Sequence, residues 1–232
     1  MRSMQANDGR HKYDLLLVLL LASLVIQSAG IASGKQGLLS DAFRTVLTMA
    51  IFVVVFWGTR ERWLVAAILV PTIALGWVRP LLAASHEFAV AMAFNLLVAL
   101  FLWAAVGVIL RDLFRRSTPG ALPVLGAICA YLIAADAWSG INLLAYQLVP
   151  ASHSIAPELD PLLAHWHSRL ALFSHYSFSQ ILTIGYSDIT PVRAPATTLS
   201  LLSAIFGMFC TAIVVSLFVG IAQGQKGHEP TQ

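Results

Sequence analysis

Apolar residues run through this chain in long unbroken stretches separated by short polar links. Six segments stand out, at residues 15–31, 38–58, 63–84, 88–110, 121–149 and 196–222. A bilayer core of about 30 Å is crossed by roughly 20 helical residues, so each segment is long enough for one span. Membrane strands alternate apolar and polar positions over about ten residues. These runs are continuous, and the pattern predicts an all-α membrane protein with six transmembrane helices.

Composition points the same way. Of 232 residues, 58% are hydrophobic and 11% are charged, and the mean hydropathy is +0.79. A soluble domain carries about 25% charged residues, so a water-soluble globule is excluded. The net charge of +3 is scattered between apolar runs. That distribution argues against a nucleic-acid partner and leaves membrane lipid as the surrounding medium. Cys129 and Cys210 lie inside apolar runs and read as small hydrophobes, not as a metal site or disulfide.

Basic residues set the orientation. With the N-terminus in the cytoplasm, the inner side collects Arg2, Arg10, Lys12, Arg60, Arg62, Arg111, Arg115, Arg116 and Lys226. The outer side collects only Lys35, Arg79, Arg169 and Arg193. Both termini are therefore expected in the cytoplasm, in a cell membrane. Ser28, Ala29 and Gly30 form a passable cleavage site behind a basic leader, so removal of the first span as a signal peptide is an alternative there. It would not alter the orientation of the rest.

The longest connection, between the fifth and sixth segments, does not fit a plain helix count. Residues 150–161 are polar and turn-rich. Residues 162–182 have helical spacing but are too polar to cross a bilayer. An extended, glycine-containing run follows: Thr183, Ile184, Gly185, Tyr186, Ser187 and Asp188. A half-length helix ending in irregular backbone at membrane depth is tolerated only inside protein or beside water. The expectation is a re-entrant loop.

The run from Ser177 through Asp188 resembles the pore helix and filter of potassium channels, whose usual filter reads Thr-Val/Ile-Gly-Tyr-Gly-Asp. Asp188 and Pro191 match the usual exit, and Gly207 falls where such channels carry an inner-helix gating glycine. The resemblance covers residues 121–222. It implies a four-span N-terminal region at 1–116, a pore domain at 117–222 and a short cytoplasmic tail at 223–232. It further implies a homotetramer conducting K+ passively, with no organic cofactor and no enzymatic activity. The ion ligands would be the carbonyls of Thr183, Ile184, Gly185, Tyr186 and Ser187, with the Thr183 hydroxyl, because stacked oxygens must replace the hydration shell. Ile184 and Tyr186 would pack outward against the pore helix. Asp188 would bond Tyr176 or a neighbouring pore-helix group.

Ser187 departs from the family pattern, standing where a second glycine is usual. A left-handed serine costs about 1 kcal/mol per chain. A distorted outermost cage and a weakly selective monovalent cation channel are the implied alternative, beside a non-conducting polytopic scaffold. An intramembrane enzyme using Ser187 and His175 lacks a Gly-x-Ser-x-Gly elbow.

Other residues refine the expectation. The fourth segment carries no Arg or Lys. Each charge crossing the field contributes about 2.3 kcal/mol per 100 mV, so no conventional voltage sensor is predicted. By helical spacing Met208, Thr211, Val215 and Val219 share one face of the last span and would line a cavity or pack between helices. Asp136 is the one acid deep in a span, expected to meet Ser177, Ser179 or Gln180, or else Arg44 or a backbone group. His153, His165, His167 and His175 lie in the outer loop as solvated side chains or as proton-sensitive groups at the mouth.

Overall fold

The computed structural model describes residues 2–33, 50–51, 53–54, 84–115, 121–163, 166–185 and 188–226. Segments 38–58 and 63–84 of the expected spans lie almost wholly outside these. Among the described residues the chain is mostly helical. The helices are α1 (Arg2–Ser33), α2 (Ala84–Arg115), α3 (Ala121–Leu148), α4 (Asp160–Leu163), α5 (Trp166–Ile181) and α6 (Ala194–Lys226). Three of them, α2, α3 and α6, are long and apolar enough to cross a membrane.

Helix α3 is the hub, packed against α1, α2, α5 and α6. Two-thirds of its apolar window, 67%, is buried, against 33% in α2 and 11% in α6. The sequence explains the role: small residues let neighbouring helices approach closely, the usual device where the solvent is as apolar as the side chains. Gly140 shows it directly, since a β-carbon there would stand 3.0 Å from the Ala99 side chain of α2. Helix α1 contributes Tyr13, Leu16 and Leu20, one stripe at helical spacing. They close a core with Phe101 and Ile109 of α2 and Ile133 of α3.

Helix α5 inverts the soluble pattern. Ser168, Ser174, Ser177 and Ser179 are all buried, and so is every residue from Ala171 to Ser179 except His175. The hydroxyls of Ser174, Ser177 and Ser179 find partners, as buried polar groups must. Ser177 Oγ accepts from Asn142 Nδ2 at 2.9 Å. Ser174 Oγ donates to Asp136 Oδ1 at 2.9 Å, one helical turn before the serines expected to meet that acid. Ser179 Oγ donates back to the Tyr176 carbonyl.

Between α3 and α6 the chain also makes a two-stranded antiparallel ribbon, β1 (His153–Ile155) with β2 (Ile189–Pro191). It pairs His153 with Pro191, Ser154 with Thr190 and Ile155 with Ile189. The Ala156 amide extends the ladder to the Asp188 carbonyl, and the amides of Val192 and Arg193 both donate to the Ser152 carbonyl. A small ribbon therefore departs from the all-helical expectation.

Helix α6 buries only one narrow stripe of small residues, Ala196, Ser200, Ser203 and Gly207. A cluster of Trp103, Trp138 and Phe206 holds it beside α2 and α3, with edge-to-face ring centroids 5.7 Å and 5.4 Å apart at Trp103. Beyond Gly207, residues 208–220 are exposed or half-buried.

Candidate functional site

The carboxyl end of α5 is closed by a tight turn. The Thr183 amide donates to Gln180 O at 3.0 Å and the Ile184 amide to Ser179 O at 2.9 Å. This pair of bonds is a Schellman cap with Thr183 at the left-handed position, which glycine usually fills. Thr183 indeed has φ +57, and two residues on Gly185 has φ +69. Gly185 takes that conformation without penalty. Threonine is β-branched and does not, at roughly 1–2 kcal/mol. Strain of this kind persists where surroundings over-determine the backbone, and it clusters at ligand sites.

Leu182, Thr183, Ile184 and Gly185 are all exposed. Ile184, expected to pack outward against α5, is 51% exposed. A Schellman cap offers its sixth residue an apolar contact three residues before the cap's end. Here the nearer such position is the polar Ser179. Tyr186 and Ser187, the remaining expected ligands, lie outside the described residues.

On the far side of this run Asp188 is exposed. It lines a small cavity with Leu172, His175, Tyr176, Ser179 and Ile189. Tyr176 is buried, and its hydroxyl is paired with the Ser200 hydroxyl of α6. Tyr176, one of the partners expected for Asp188, thus ties α5 to the last helix, and Asp188 shares its cavity with this and other groups of α5.

Gly207 stands where α6 crosses the end of α5. A β-carbon there would overlap the Ile181 carbonyl oxygen and stand 2.9 Å from Ile181 Cα. Close approach of backbones alone thus demands glycine at this point. Met208, Thr211, Val215 and Val219 follow on the exposed part of α6, with Met208 65% and Val215 54% accessible.

Two residues near this site carried little signal. Tyr131 of α3 donates its hydroxyl to Ile181 O at 3.0 Å. A lone tyrosine inside an apolar run is a hint, since a buried hydroxyl seeks a partner. His153 is buried, against the expectation of a solvated loop. Its ring lies edge-on to Phe173, Tyr176 and Tyr146, with centroids at 5.4, 5.6 and 6.2 Å. Its Nδ1 meets Ser152 Oγ at 2.9 Å, while Nε2 has no partner among the described residues. Burial pushes its pKa down to about 4. His175 is exposed, and the side chains of His165 and His167 lie outside the described residues.

Compared with known proteins, the chain matches no family model, no curated sequence and no solved structure.

Proposed function

We propose that this chain is one subunit of a passive potassium channel, with six spans and a re-entrant pore between the fifth and sixth. The observation that carries the reading is Thr183 at φ +57, a strained β-branched residue exposed at the end of a polar helix buried inside apolar ones. Nothing about capping a helix favours threonine over glycine there. A threonine does supply what glycine lacks, a side-chain oxygen beside its own carbonyl.

In this reading four copies surround one axis. The carbonyls of Thr183, Ile184, Gly185, Tyr186 and Ser187, with the Thr183 hydroxyl, replace water around a dehydrated K+ ion. The carboxyl end of α5 carries the negative end of its dipole and favours a cation beside it. Exposed apolar side chains along α6 suit this assembly. Part of that surface would face lipid and part would face the other copies and an inner cavity lined by Met208, Thr211 and Val215. Residues 208–220 of α6 are exposed or half-buried, which suits a swing of its lower half about that crossing.

Ser187 favours a second outcome, weaker discrimination between K+ and Na+. Recording purified protein in planar bilayers under opposed K+ and Na+ gradients separates the possibilities. A reversal potential that follows K+, lost in Thr183→Ala, supports the proposal. A reversal midway between the two ions that moves toward K+ in Ser187→Gly gives the weakly selective channel. Silence from protein that is folded and inserted leaves a non-conducting membrane scaffold.

A further inference from the structure

The four last carbonyls of a helix have no partner within it. In α5, Phe178 O receives the Leu182 amide, Ser179 O receives the amides of Ile184 and Gly185, and Gln180 O receives the Thr183 amide. The Ile181 carbonyl receives the Tyr131 hydroxyl, reaching across from α3. On its other side the same oxygen rests against the bare Cα of Gly207. The Thr211 side chain lies near the Tyr131 phenol, and its own hydroxyl donates to Gly207 O at 3.0 Å. Three helices therefore meet at one oxygen, two residues before the strained Thr183.

We infer that Tyr131 is a positioning residue that links the last helix to the filter strand, its hydroxyl holding the Ile181 carbonyl against which Gly207 of α6 rests, with Thr211 one turn further on. This rests on the channel reading above and adds to it a residue outside the filter motif. The geometry gives the link a direction. A tilt of α6 at Gly207 moves Thr211 and the glycine surface together. Either motion changes how firmly Ile181, and so the turn at Thr183, is held. Without the hydroxyl, Ile181 O is an acceptor with no fixed donor, and the base of the filter loses its tie to α3.

Single-channel recording of the full chain in planar bilayers tests this with Tyr131→Phe, which removes one oxygen and keeps the ring. The expected result is an unchanged unitary K+ current with mean open time shortened about fivefold, the worth of one net hydrogen bond. Thr211→Val should shorten openings as well, and the double variant should equal Tyr131→Phe alone, because both changes break one link. A residue that only stabilised the fold would lower the thermal midpoint and leave dwell times additive or unchanged. Conducting wild type with unaltered openings in Tyr131→Phe overturns the inference and leaves the channel standing. A silent wild type overturns both. Should Tyr131→Phe fail to assemble, Thr211→Val decides the matter, and unaltered openings there overturn the link.

Discussion

Helix α5 and the lower half of α6 make opposite use of their side chains. α5 is rich in serine and mostly buried from Ala171 to Ile181, with the hydroxyls of Ser174, Ser177 and Ser179 bonded to α3 or to its own backbone. α6 is apolar, yet beyond Gly207 its large side chains are exposed, Phe209 at 68% and Phe218 at 53%. In water this distribution would be upside down. It becomes sensible when the surroundings are hydrocarbon or further copies of the chain, because the polar groups are then the ones that need protein around them.

Truncating one aromatic in each region sharpens the contrast. Phe173→Ala in α5 removes a fully buried ring and should cost about 3–5 kcal/mol of stability, read as a large drop in thermal midpoint in detergent. Gly207→Ala comes next. Its added methyl meets backbone and not a yielding side chain, so overpacking of about 1–3 kcal/mol is expected. The same thermal scan, followed by size-exclusion of the assembled protein, would show it.

A smaller, pH-dependent effect is expected at His153. Its folded pKa of about 4 lies below the ordinary value of 6.5. The unfolded chain thus binds the proton first as pH falls, and the neutral buried ring contributes stability that is complete above pH 6.5. That contribution drains away between pH 6.5 and about 4. The thermal midpoint should fall across this window, and His153→Phe should flatten the slope. The smallest effect is expected for Phe209→Ala, within about 0.5 kcal/mol for the subunit fold. A large loss there in dilute detergent would mean that the exposed surface of α6 is already covered by other copies.

Much of the helical layout could be read from the residues. The apolar runs at 88–110, 121–149 and 196–222 correspond to α2, α3 and α6, since unbroken hydrophobicity over that length leaves few alternatives. The polar run at 162–182 corresponds to α5, though α4 takes its first residues. The ribbon was illegible because strands of three residues are too short for a period of two to show. Partners of buried hydroxyls were also hidden. Tyr176 meets Ser200, Tyr131 meets Ile181 and Asp136 meets Ser174, and each pair depends on how helices cross. The burial of His153 was missed for a related reason, its cage being assembled from α3, α5 and β1 together.

The ribbon formed by β1 and β2 also constrains the chain on either side of Gly185. It clamps the chain at Asp188 and beyond, while the turn at Thr183 clamps it before, so only a few residues hang between two fixed posts. In the proposed tetramer, adding or removing a single residue there would shift every later carbonyl out of step with its counterpart in a neighbouring copy, whereas a change of side chain at the same place would leave the spacing intact.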